Sequence, residues 1–136
     1  SEADTIQLMK DFGEAIGIAF QIRDDILDYN GNGLTGKMAG NDIKEKKITL
    51  PLIHALEKAS IARKRHILSI VGSRKKSKSD INEVIGFVTE NGGLEYATLR
   101  MNQYRDKALA ILDTYPDSDV KNSLKEFAHY TVSRDK

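Results

Sequence analysis

At 136 residues, with 30% charged side chains and a net charge of only +1, the chain is long enough for one domain with a real core, and its balance points to neither nucleic acid nor an anionic membrane. It has no cysteine, which excludes disulfides and thiolate metal sites and is compatible with a cytoplasmic setting. No apolar run approaches the roughly 20 residues of a membrane span, and the acidic start is not that of a signal peptide.

Ile6, Met9, Phe12, Ile16, Ala19, Phe20, Ile26 and Leu27 recur at three- and four-residue steps, which predicts a long first helix from about Thr5 to Tyr29. Residues 30 to 48, with Gly31, Gly33, Gly36 and Gly40 and few apolar anchors, are expected to form a long, mobile loop. Thr49 is placed to cap the next helix, and Pro51 fits its first turn, where a missing N–H costs little. Leu52, Ile53, Leu56 and Ala59 continue that helix, and Ile61, His66, Ile67, Ile70 and Val71 predict another before a break from Gly72 to Ser79. Ser79 or Asp80 is expected to cap Ile81, Val84, Ile85 and Val88, with Asn91-Gly92-Gly93 as the stop. Leu94, Ala97, Met101, Tyr104, Ala108 and Ile111 trace a further stripe ended by Tyr115-Pro116-Asp117, and Val120, Leu124, Phe127, Ala128 and Val132 mark a last helix. No period-two pattern competes. The fold class is therefore all-α, an antiparallel helical bundle in a single unit over residues 1 to 136.

Chemistry concentrates between residues 20 and 51. Gly17, Gln21, Asp24 and Asp28 fall within a helical stripe about 60° wide, with Asp25 at its edge. An isolated pair of aspartates is most often a solvated helix face. Here, however, like charges stand three and four residues apart, and they lie close to the Asn30-Gly31 stop, where the helix dipole is negative. Breaking several local rules in one turn marks a functional stretch. Oxygen ligands of this kind suit Mg²⁺, which bridges one or two carboxylates to phosphate oxygens, and Lys37, Lys44, Lys46 and Lys47 follow to neutralise phosphate charge. A solvated basic loop is the better account of Lys44 and Lys46.

Three familiar motifs fail on context. Gly31, Gly33 and Gly36 match G-x-G-x-x-G, but an acidic helix rather than a strand precedes them. The same run begins like a P-loop, with Met38 where Ser or Thr must bind Mg²⁺. An EF-hand starting at Asp28 would need glutamate where Ala39 stands. The basic residues from Arg63 to Lys78 lack interleaved aromatics and read as a solvated helix end and loop, so no nucleic-acid partner is expected. His54, His66 and His129 show no ligand spacing.

The run Gly13-x-x-x-Gly17-x-x-Phe20-Gln21-x-x-Asp24-Asp25-x-x-Asp28, followed by Gly36-Lys37-x-x-Gly40-x-Asp42-x-x-x-x-Lys47-x-Thr49-Leu50-Pro51, closely resembles the second aspartate-rich region of trans-type polyprenyl diphosphate synthases. The resemblance is strong over residues 12 to 56 and continues less distinctively through Asn91-Gly92-Gly93-Leu94-Glu95-Tyr96-Ala97. It implies an isoprenoid-synthase-type fold, of which this chain would be the C-terminal part, and a cytoplasmic prenyltransferase, commonly a homodimer. Such an enzyme elongates an allylic diphosphate with isopentenyl diphosphate, using Mg²⁺. By resemblance, Asp24 is a direct metal ligand, and Asp25 and Asp28 act through metal-bound water. Lys37 and Lys47 hold the allylic diphosphate, Gln21 lies beside it, and Phe20 lies near the isoprenoid. The family's first aspartate-rich motif is absent from these 136 residues, so the chain alone is expected to be inactive. A non-catalytic helical subunit that binds a diphosphate or a partner is the alternative.

Overall fold

The computed structural model describes residues 2–30 and 40–133, and all the regular structure among them is helical. In chain order the helices are α1 (Glu2–Asn30), α2 (Asn41–Lys44), α3 (Leu50–Glu57), α4 (Ile61–Gly72), α5 (Lys78–Glu90), α6 (Gly93–Asp113) and α7 (Asp119–Val132). They pack as two compact units, one of residues 1–23 with 98–136 and the other of residues 24–97. Both divisions fall inside a helix.

The second unit is built around α5, which packs against α2, α3 and α4. Ile81, Val84, Phe87 and Val88 form its inner stripe and meet Ile43, Leu52, Ala55, Ile67, Ile70 and Val71 in one core to which Tyr29 also belongs. Capping residues set the helix starts. Ser60 accepts the Arg63 N–H at 3.2 Å. α5 begins earlier than expected, because Ser77 rather than Ser79 or Asp80 is its cap: the Asp80 N–H donates to Ser77 Oγ and the Ser77 N–H to Asp80 Oδ2, each at 3.0 Å, a reciprocal capping box. Thr49 and Pro51 open α3 as expected, although the Thr49 side chain makes no capping bond.

The expected loop from 30 to 48 is partly helical. Residues 41–44 turn as α2 because Ile43 is fully buried in the core, an anchor that outweighs the polar composition around it. Mobility is thus not expected for that part of the segment. Residues 31–39, with Gly31, Gly33, Gly36 and Lys37, lie outside the described residues.

In the first unit, Phe12, Ala15, Ile16, Ala19 and Ile22 of α1 are buried, as are Met101, Ala108 and Leu112 of α6 and Ala128 of α7. Ile6, Met9 and Phe20, part of the apolar period that predicts α1, are exposed. On the helix they lie roughly 100° round from the buried stripe, so the apolar arc of α1 is wider than the face that packs. The Tyr115 hydroxyl donates to the Asp4 carbonyl at 3.1 Å. Buried Lys121 donates to the Tyr115 carbonyl at 2.8 Å and pairs with Asp117 at 3.2 Å, which fixes the turn between α6 and α7.

Gly93 opens α6 where the backbone of α3 comes close: a Cβ there would collide with the Pro51 carbonyl oxygen and lie 2.8 Å from Val88 Cγ1. Gly93→Ala should therefore destabilise the protein by about 1–3 kcal/mol through overpacking against backbone. Urea unfolding checks this, and an unchanged midpoint would contradict the packing.

Candidate functional site

α1 ends with Asp24, Asp25 and Asp28 in its last two turns and no basic residue in its last turn, an arrangement the helix dipole disfavours. The returning chain offsets that cost. The Gly40 N–H donates to the Asp28 carbonyl at 2.9 Å, and the Asp42 N–H donates to Asp28 Oδ2 at 3.2 Å. Gly40 occupies the cap position of α2 with φ +82° and offers no side chain, so the buried Asp28 carboxylate takes the place of a capping group. Its glycine identity is required twice over, by that positive φ and by a Cβ that would collide with Ile81 Cγ2.

The three aspartates are therefore not equivalent. Asp24 is exposed, Asp25 is half-buried, and Asp28 is buried against the start of α2. Asp42, half-buried and absent from the sequence-derived candidates, joins them. Burial pushes the Tyr29 hydroxyl up to about 12; the Thr49 hydroxyl pulls the other way, and the Asp28, Asp42 and Asp25 carboxylates add to the rise. Lys47 is exposed and pairs with Glu45 at 3.1 Å. That hydrogen bond and charge hold the Lys47 ammonium above the usual lysine range, with smaller contributions from Asp42 and Asp25. Asp25 and Asp42 thus contribute to the electrostatic surroundings of both Tyr29 and Lys47. In the sequence Asp42 stands within the family-like run from Gly36 to Pro51 but was given no role, since an acid among spaced lysines is not separated by pattern alone from a solvated loop.

Lys44 and Lys46 are exposed, and Lys46 adopts a left-handed φ of +62°. Lys37 lies outside the described residues. Phe20 and Gln21 are exposed on the part of α1 that belongs to the first unit, where the Arg23 guanidinium lies 5.7 Å from the Phe20 ring centroid. Among the described residues no three His, Asp or Glu side chains converge so as to hold a metal ion by themselves. Exposed and half-exposed carboxylates beside a lysine instead fit a hard cation whose remaining ligands come from an anionic partner or water.

The basic run does not form one patch. Arg63, Lys64 and Arg65 sit near the start of α4, whereas Arg74 to Lys78 follow its end, and the helix from Arg65 to Gly72 puts roughly 10 Å between the two groups. Arg63 pairs with Glu83 at 3.3 Å and lies over Phe87, and His66 bonds the same Glu83 oxygen at 2.7 Å. No helix among the described residues is long and apolar enough to cross a membrane.

Residues 1–88 match the family model described as polyprenyl synthetase. The chain is similar to the octaprenyl diphosphate synthase of Escherichia coli (strain K12), with 34% identity over 129 residues, 94% of this chain and 40% of the relative. It is 37% identical over 131 residues to the geranylfarnesyl diphosphate synthase of Aeropyrum pernix, again covering 94% of this chain and 40% of the relative. Among solved structures, the polyprenyl synthase of Caulobacter crescentus CB15, complexed with calcium and isoprenyl diphosphate, superimposes with a TM-score of 0.87 at 33% identity, covering 98% of this chain and 41% of the other. The geranylgeranyl pyrophosphate synthase of Bacteroides thetaiotaomicron gives 0.84 at 37% identity, covering 95% and 42%. The chain thus spans about 40% of the length of the curated relatives it matches.

The raised Tyr29 hydroxyl has a consequence at high pH. Between about pH 10 and 12 the unfolded chain loses this proton while the folded chain keeps it, so stability falls as pH rises through that window, by up to about 2–3 kcal/mol from this group. Tyr29→Phe keeps the ring and removes the ionisation. Unfolding free energies at about pH 9 and about pH 11 should drop less in the variant; equal drops would contradict a buried hydroxyl.

Proposed function

The chain belongs to the polyprenyl synthetase family, and from that membership we propose that the whole protein is a trans-prenyltransferase that condenses an allylic diphosphate with isopentenyl diphosphate. The observation that carries the reading is the group of charges at the end of α1: an exposed lysine, Lys47, in the field of Asp25 and Asp42, with exposed Asp24 next to Asp25 in α1. Carboxylates and ammonium side by side suit a ligand that brings both a divalent cation and negative phosphate oxygens.

In this reading Asp24 would hold Mg²⁺, with Asp25 and Asp42 as the supporting carboxylates beside it. When bound, the cation supplies charge that stabilises the departing diphosphate. Lys47 and Lys37 hold the diphosphate oxygens and oppose the charge that grows as the allylic C–O bond breaks. Gln21 lies beside the diphosphate and Phe20 beside the isoprenoid chain. Asp28 works through geometry: with its carbonyl and carboxylate engaged by the returning backbone, it fixes where residues 42–47 stand relative to Asp24 and Asp25. The setting we assign to the whole protein is a cytoplasmic homodimer.

Asp24→Ala should lower Mg²⁺-dependent turnover of the whole enzyme more than Asp25→Ala does, without moving the unfolding midpoint, because the side chain is exposed. Asp28→Ala should lower the midpoint, since about 1 kcal/mol attends loss of a cap. An Asp24→Ala enzyme of near wild-type rate would refute the assignment.

Lys47→Ala and Lys37→Ala should each weaken diphosphate binding about ten- to a hundredfold, the worth of one charge-assisted hydrogen bond, with little effect from Lys44→Ala or Lys46→Ala. Calorimetric titration with inorganic diphosphate and Mg²⁺ decides this, and equal losses at all four lysines would indicate a diffuse basic loop.

By itself the 136-residue chain should yield no elongated product from labelled isopentenyl diphosphate, an allylic primer and Mg²⁺. Its acids cannot enclose the cation among the described residues, and the bound anion stays open to water. Product above the no-protein background would overturn that expectation.

A further inference from the structure

The cation proposed to receive the diphosphate is already paired. Lys47 Nζ stands 3.1 Å from Glu45 Oε1. The other Glu45 oxygen, Oε2, accepts from Asn41 Nδ2 at 3.3 Å, so each carboxylate oxygen has its own donor. The backbone holds this arrangement within a single turn: the Glu45 N–H donates to the Asn41 carbonyl at 3.1 Å, the Lys46 N–H to Ile43 at 3.1 Å and the Lys47 N–H to Asp42 at 2.8 Å. Lys46 takes the left-handed φ of +62° that the reversal requires, a conformation an L side chain adopts at a cost of roughly 1–2 kcal/mol. Lys44 and Lys46 lie nearer in sequence than Lys47, yet the turn delivers Glu45 to Lys47.

Resting on the diphosphate-binding reading of Lys47, we propose that Glu45 is an internal stand-in for a phosphoryl group, which occupies Lys47 until an incoming diphosphate displaces it. Two carboxylate oxygens held by an ammonium and an amide present the charge and acceptor geometry that two phosphate oxygens would present. Displacement frees Glu45 to water and leaves Lys47 with a more highly charged partner. Glu45 thereby sets a threshold on the anion: a monoanion exchanges one carboxylate for an equivalent, whereas a diphosphate with its cation brings more charge than it replaces. Both side chains are about half or more exposed, at 61% for Lys47 and 50% for Glu45, so the pair is a weak one. A pair formed half to four-fifths of the time withholds the lysine from ligand by about two- to fivefold.

The experiment titrates inorganic diphosphate with Mg²⁺ into the 136-residue chain and its Glu45→Gln, Lys47→Ala and double variants. Glu45→Gln should bind about two- to fivefold more tightly, with the gain shrinking as salt is raised and vanishing in the Lys47→Ala background. The Lys47 ammonium pKa, followed by NMR without ligand, should fall in Glu45→Gln, because Glu45 is the chief group that raises it. Weaker or equal diphosphate binding by Glu45→Gln, with Lys47→Ala still impaired, overturns the stand-in and leaves the diphosphate reading in place. Wild-type binding unaffected by Lys47→Ala overturns that reading and the stand-in with it.

Discussion

The end of α1 is closed by its own chain, and the rest of the site depends on that closure. Asp28 accepts the Gly40 amide on its carbonyl and the Asp42 amide on its carboxylate, while Ile43, one residue further on, is fully buried. Two polar bonds and one apolar anchor thus bring residues 40–47 back against the helix they left. Without them Asp42, Glu45 and Lys47 would have no fixed relation to Asp24 and Asp25. The buried carboxylate would also lose the amide bond to its Oδ2, at a cost of about 1–3 kcal/mol.

Closure also accounts for a local arrangement that is otherwise unfavourable. Three acids at the negative end of a helix repel one another and the dipole, and the structure does not neutralise them with a basic last turn. Asp28 is compensated internally, by backbone amides. Asp25 is half-buried and Asp24 exposed, and the charge state of Lys47 registers Asp25. In the proposed reading, this accessible negative charge attracts a cation, and the lysine favours one that arrives with an anion.

Much of this was legible in residue order. The helical period identified the six longer helices among the described residues, because stripes such as Ile81, Val84, Val88 and Leu52, Leu56 admit no strand reading. The aspartates stood out because their spacing breaks local rules together, whereas Lys47 was set apart from Lys44 and Lys46 only by the family-like run around it, and the roles of all four belong to the proposal. α2 was not, because four residues carry too short a period to register and its one anchor, Ile43, sits among polar neighbours. The cap of α5 was expected at Ser79 or Asp80 rather than Ser77, because residues able to cap stand at all three positions and pattern alone does not show where the helix begins. Asp28 resembles Asp24 in sequence and differs from it wholly in burial, a distinction made by contacts fourteen residues away. The division of packing into two units left no linker to detect, because it runs through α1 and α6.

The central claim is that the end of α1 and the segment returning to it form one site for a divalent cation and a diphosphate together. Paramagnetic broadening of amide resonances by Mn²⁺ in the 136-residue chain tests it most directly. With diphosphate present, the ion should broaden residues 24–28 and 42–47 selectively, and much less when diphosphate is omitted. Broadening centred elsewhere, for instance on Glu83 beside His66, or broadening indifferent to diphosphate, would contradict the account.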